Sequence, residues 1–242
     1  MRMRVGLTLA ACAAFASAGH AADLSMPAPA PMAPTTSGHE FVFDGYASAT
    51  YANAGLAQWT GSVAARGTIL TNSGCGFSLT GMDQANLTGP SLNIVGGEVD
   101  VYKTIGDAAL GVSYAVASGN GVTVNALGVQ GALFAGNFQL RGSYAHTFEA
   151  GLAPAANSLT GRVAYFFAPN TQANISVMTA SNGTYNDTTF GIGAEHKFQS
   201  SPFSLFGGLA YSSNTSATSV TVGVRFTPSA LSLQDFTRKV PF

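Results

Sequence analysis

Residues 137–148 read NFQLRGSYAHTF, and their alternation decides the fold. Phe138, Leu140, Tyr144 and Phe148 fall on one parity, and Gln139, Arg141, Ser143 and Thr147 on the other. A period of two is the mark of a strand with one apolar and one polar face. The pattern recurs along the chain. Phe41, Phe43, Ala47 and Tyr51 oppose Asp44, Tyr46, Ser48 and Thr50, and Trp59, Val63 and Ile69 oppose Thr60, Ser62, Arg66 and Thr68. Leu159, Val163, Tyr165 and Phe167 oppose Thr160 and Arg162, while Phe190, Ile192 and Phe198 oppose Thr189, Glu195 and Lys197. Val220, Val222, Val224 and Phe226 oppose Thr221 and Arg225, and Glu98 and Asp100 alternate with Val99 and Val101. Each named charge lies on the polar parity, and the apolar parity is expected to carry none. That polar parity is otherwise Ser, Thr, Gly and Ala, which suits a confined lumen better than a water-facing sandwich surface.

Composition agrees. Only 9% of the 242 residues are charged, against roughly 25% in a soluble domain. Apolar content of 46% argues against disorder, and a net charge of -1 with no basic run argues against nucleic acid. No segment after the N-terminal region holds 18 consecutive apolar residues, so no transmembrane helix is expected there.

The N-terminus reads as an export signal, residues 1–21. Arg2 and Arg4 precede an apolar run from Val5 to Ala18, and Gly19-His20-Ala21 supplies small residues for cleavage. A lipobox at Leu9-Ala10-Ala11-Cys12 is the competing reading. Cleavage after Ala21 takes two of ten basic residues, leaving eight against eleven acidic ones. It also leaves Cys75 as the lone thiol, which forbids an internal disulfide. Residues 22–38 form a Pro/Ala-rich linker, 39–228 the strand region and 229–242 a tail.

Twelve strands are expected between 40–52 and 218–227, with ten as the competing count. The third (74–82) and sixth (122–134) are the weakest. The sixth changes face near Leu127 to Gln130, which calls for a bulge. The longest outer loops fall at about Met82 to Pro90 and Glu149 to Ala156. No helix signature follows the signal. Apolar-face aromatics pair near strand ends eight to ten residues apart, as Phe41 with Tyr51 and Phe138 with Phe148. At about 3.3 Å per residue and about 40° tilt this spans about 20–25 Å, the height of an outer-membrane apolar belt. The expected fold is therefore all-β: a closed antiparallel transmembrane β-barrel in the bacterial outer membrane.

Ala21-Ala22-Asp23-Leu24, opening the Pro-Ala linker, resembles the start of exported alphaproteobacterial barrels, namely porins and opacity-type surface antigens. Thr221-Val222-Gly223-Val224-Arg225-Phe226 resembles the last-strand signal read by the barrel assembly machinery, although Pro228 and a tail follow it. The resemblance implies outer-membrane lipid, lipopolysaccharide and that machinery as partners. It carries over no functional residue.

The favoured function is a porin-like passive channel for small hydrophilic solutes. A structural or surface-antigen barrel with a closed interior is the alternative, and an outer-membrane hydrolase or acyltransferase a lesser one. For the last, His146 and Glu149 lie close in sequence with Ser143 nearby, but Ser143 sits on the opposite face from His146. His39, His146 and His196 occupy no metal-binding frame, so no metal, cofactor or catalytic residue is expected. With the N-terminus periplasmic, Asp44, Arg66, Glu98, Asp100, Arg141, Glu195, Lys197 and Arg225 fall at similar height in the periplasmic half, with Arg162 about midway. Asp44 is expected between Arg66 and Arg225. Such a ring is either a charge filter or a paired structural plug.

Overall fold

The computed structural model describes residues 39–242 except 54–56, 90, 92, 149–154, 184 and 229. The expected signal and linker, with Cys12, lie outside the described residues, as does Glu149. Twelve strands follow one another: β1 (Glu40–Asn53), β2 (Ala57–Leu70), β3 (Cys75–Asn86), β4 (Asn93–Ile105), β5 (Ala108–Gly119), β6 (Val122–Ala135), β7 (Phe138–Thr147), β8 (Ala156–Ala168), β9 (Thr171–Ser181), β10 (Asn186–Lys197), β11 (Phe203–Ser212) and β12 (Ala217–Phe226). A short helix, α1 (Leu233–Lys239), comes after them. Each strand pairs antiparallel with its sequence neighbours, and β12 returns to β1 from Gly45↔Phe226 to Asn53↔Thr218. The sheet is thus a closed 12-stranded barrel without a free edge.

Turn chemistry sets the hairpins. Asn120 (φ 51°) and Gly121 (φ 77°) make the two-residue β5–β6 turn with both φ positive, the type I′ geometry that matches strand twist. The start of β1 and the end of β12 share one end of the barrel, here the terminal end; the opposite end is the far end.

Apolar side chains point outward. Val63, Val101, Leu140, Leu159, Ile175, Ile192, Leu205 and Val222 are exposed, although each sits in a continuous ladder. Aromatic rings cluster outward at both ends. Tyr51 stacks near Trp59 (centroids 5.3 Å) at the far end, and Phe138 near Tyr165 (4.8 Å) and Phe203 near Phe226 (5.3 Å) at the terminal end. An apolar outer wall between two aromatic girdles is the surface a barrel shows to lipid.

The structure corrects four expectations. β3 runs to Asn86 rather than 82, because Gly81–Asn86 pair with Thr60–Ala65 and Gly81–Ala85 pair also with β4; the β3–β4 loop is correspondingly short. β6 has no bulge: its registers with β5 and β7 are unbroken, and Val124, Ala132 and Phe134 simply face inward. The register shift lies instead between β8 and β9, at Phe166/Ala168. A helix does follow the strands. Ser232 caps α1 by accepting from the Asp235 N–H (3.1 Å), Asp235 sits in the first turn, and Arg238 and Lys239 sit in the last. Finally, Asp83 and Lys103 lie on the outward parity. Lys103 is at the terminal rim, where its stem lies along the wall and its ammonium reaches the Ser73 carbonyl. Asp83 is near the far end, with Val63 and Val95 as cross-strand partners.

Candidate functional site

The inward parity lines the lumen, and its exposure is graded. Towards the far end Ser48, Thr50, Thr60, Ser62, Gln84, Thr189, Ser212, Ser219 and Thr221 are half-buried, on the arc from β10 through β12 to β3. On the opposite arc, β4 to β9, the far-end positions Ile94, Ala117, Val124, Thr147, Ser158 and Ala180 are buried. Towards the terminal end inward side chains are buried all round, from Val42 and Thr68 through Ser78 and Gln139 to Gln172 and Ser204.

All nine ring residues point inward. Asp44 takes a forked bond from Arg66, Nε to Oδ1 at 2.7 Å and Nη2 to Oδ2 at 3.1 Å. Arg225 does not share Asp44. Its register places it opposite Tyr46 and Ser204, and its guanidinium lies 3.9 Å from Glu195. Glu195 also accepts from Gln172 Nε2 (3.2 Å) and from the Ser204 hydroxyl, and Arg162 donates to Gln172 Oε1 (3.2 Å). A polar chain therefore crosses β8 to β12. Glu98 and Asp100 share one face of β4, and Gln130 reaches across the small residues of β5 to donate to Asp100 Oδ1 (2.7 Å). Arg162 is not offset from the ring as expected but directly opposite Arg141. Like charges opposite one another repel. The two arginines diverge to separate partners, Gln172 for Arg162 and the Pro241 carbonyl for Arg141.

The tail supplies the partners that sequence reasoning missed. It turns back into the terminal mouth, where the basic side chains hold its main chain. Arg66 donates to the Phe242 oxygen, Arg141 to the Pro241 oxygen and Lys197 to the Leu231 oxygen (2.6 Å). Tyr102 donates to the Lys239 oxygen at 3.3 Å. Its apolar side chains fill an inward apolar seat: Leu233 against Ala164 and Phe166, Phe236 and Val240 against Val42, and Phe242 against Tyr102, Ala109, Ala132 and Phe134. Burying each of these four side chains stabilises by about 1.5–3 kcal/mol. Ion pairs Lys239–Glu40 (2.5 Å) and Arg238–Asp107 (3.2 Å) tie the helix to the rim. They are exposed and each contributes about 0–1 kcal/mol.

The hydrolase constellation is not assembled. His146 lies on the outward parity, bonded through Nδ1 to Asn157 Oδ1 (2.9 Å), whereas Ser143 faces inward. His196 is likewise outward, 2.8 Å from the Thr171 hydroxyl. No cluster of three metal-ligating side chains exists among the described residues.

Comparison with known proteins places this architecture. No protein-family model and no curated protein sequence matches the chain. Solved structures do: the KdgM porin, at TM-score 0.57 and 13% identity, covering 75% of this chain and 98% of that one, and the NanC porin with the same values. The Acinetobacter baumannii outer membrane protein Omp33 matches at TM-score 0.52 and 10% identity, covering 77% and 98%. The chain shares the porin barrel fold. At these identities the likeness is one of fold, and the residues lining this lumen are its own.

Proposed function

We propose that the chain is an outer-membrane, porin-like channel for small hydrophilic solutes. The observation that carries this reading is the two-sided wall: large apolar side chains face out, and hydroxyl, amide and glycine positions face a lumen that is accessible from the far end. A closed barrel with such a belt is the β solution to spanning a membrane, and Gram-negative outer membranes are where it is used. In that setting the terminal end is periplasmic and the far end faces outward. Lipid and lipopolysaccharide then cover the belt, and the barrel assembly machinery handles β12. A neighbouring structure, the KdgM porin, was solved with a disordered oligogalacturonate, which supports a hydrophilic solute as the partner of this barrel class. The ring of Asp44, Arg66, Glu98, Asp100, Arg141, Arg162, Glu195, Lys197 and Arg225 lies on the solute path.

A second reading, a closed structural or surface barrel, is favoured by one observation: the tail fills the terminal mouth. Planar-bilayer recording separates the two. A channel gives discrete conductance steps from the refolded chain or from the chain lacking 229–242. Insertion without a step from either form leaves the structural barrel.

A further inference from the structure

We propose that residues 230–242 form a displaceable plug that shuts the periplasmic mouth, latched by the ring's basic side chains on its main-chain oxygens. This rests on the channel reading above. Three observations carry it. First, the tail adds no strand to the barrel: β12 closes on β1 through nine register positions before the tail begins, so the pore wall is complete without it. Second, the tail is held by its own contacts rather than by ladder bonds. Arg66, Tyr102, Arg141 and Lys197, on four different strands, converge on its carbonyls, and the inward apolar residues Val42, Phe134 and Phe166 exist as a seat for its side chains. Apolar residues at inward positions of a wet lumen make sense only where something covers them. Third, the link into α1 stands off the wall. A crevice of about 690 Å³ separates it from the β10–β11 turn, lined by Phe198, Ser201, Pro202, Pro228 and Leu231, with Lys197 beside it.

Chemically the latch suits a reversible closure. Arg141 and Lys197 join a cationic donor to a neutral peptide carbonyl and Tyr102 a neutral donor to one, while Arg66, which holds the Phe242 oxygen, keeps its fork to Asp44 when the tail leaves. The freed cations turn to water that enters behind it. In the closed state Phe236 and Phe242 lie buried in the mouth. In the open state the ring itself becomes the narrowest charged zone.

The test compares single-channel recordings of four forms: the full chain, the chain lacking 229–242, Arg141→Gln, and Val42→Cys/Val240→Cys with Cys75→Ser. Val42 and Val240 share one buried cluster, so an added oxidant or a short bis-thiol crosslinker is used to join the two new thiols across the closed mouth, with the crosslink confirmed by loss of free thiol before recording. We expect steady conductance from the shortened chain, several-fold above the time-averaged conductance of the full chain. Arg141→Gln should open more often than the full chain. The cysteine pair should be silent when oxidised and should regain openings when reduced. The plug is overturned if the full and shortened chains conduct alike, or if oxidation leaves the openings unchanged. The latch is overturned if Arg141→Gln opens no more often than the parent. A shortened chain that inserts yet never conducts removes the channel reading itself, a result distinct from equal conductance. Should the shortened chain fail to fold, the oxidised and reduced states of the cysteine pair decide alone.

Discussion

At Gly76 a Cβ would come within 2.1 Å of the Tyr102 ring, which lies across the glycine on the neighbouring strand. The missing side chain is what lets Tyr102 lie flat, meet Phe242 edge-on (centroids 5.6 Å, interplanar 78°) and donate to the Lys239 oxygen. We expect Gly76→Val to push the ring away, costing about 1–3 kcal/mol of overpacking. The cost should be read as a lower thermal midpoint of the refolded barrel. Gly223 plays the same part for Phe206, whose Cζ would lie 2.3 Å from an added Cβ. The ring charges make a second residue-scale case. Asp44→Asn takes the carboxylate from a mostly buried Arg66, and losing one partner of such a pair costs about 3 kcal/mol. A clear fall in the urea midpoint is therefore expected. An unchanged midpoint with altered ion selectivity would instead give Asp44 to solute filtering.

The strands carry the parity that made the fold legible. On β12, Val222 is exposed towards lipid, while Thr221 points inward and bonds Thr50 through the two hydroxyls (2.9 Å). Val222→Arg should cost about 2–4 kcal/mol and reduce insertion into vesicles, whereas Thr221→Arg should insert normally. Equal loss from both would mean that the inward face is not wet. The same parity explains where sequence reading failed. In β6 the inward Val124, Ala132 and Phe134 looked like a change of face, since apolar residues were assigned to lipid alone. Phe134 faces inward because Phe242 meets it there, a contact more than one hundred residues away and invisible to local periodicity. For α1 a signal existed: Ser232-x-x-Asp235 before Phe236, with Arg238 and Lys239 closing, is a capping pattern. It was masked by the short length of the segment, since seven residues are too few to be helical without packing.

Across the whole molecule, wall and plug rest on different physics, and so should come apart separately. The wall is a closed ladder whose hydrogen bonds have no alternative partner in lipid, so it should resist detergent and show heat-dependent mobility on gels. The plug depends on four buried apolar side chains, a few bonds to carbonyls and two exposed ion pairs. The number of strands and the inward position of the nine charges were readable because both follow from local alternation. The closure was not, because it depends on which distant segment covers the inward apolar patch. Phe236→Asp tests the separation. Phe236 is buried in an apolar cluster with Val42 and Val240, where a carboxylate is costly, so the substitution should unseat α1 while leaving the ladder intact. Circular dichroism and unboiled gel mobility should match the parent. Trypsin, in contrast, should now cut at Arg238 and Lys239 within minutes, whereas in the parent these residues are held by Asp107 and Glu40 at the rim. The cleavage is read by mass spectrometry as loss of the terminal residues from a barrel that still migrates as folded. If the variant loses its β signal as well, the tail is part of the barrel's own core and cannot leave it.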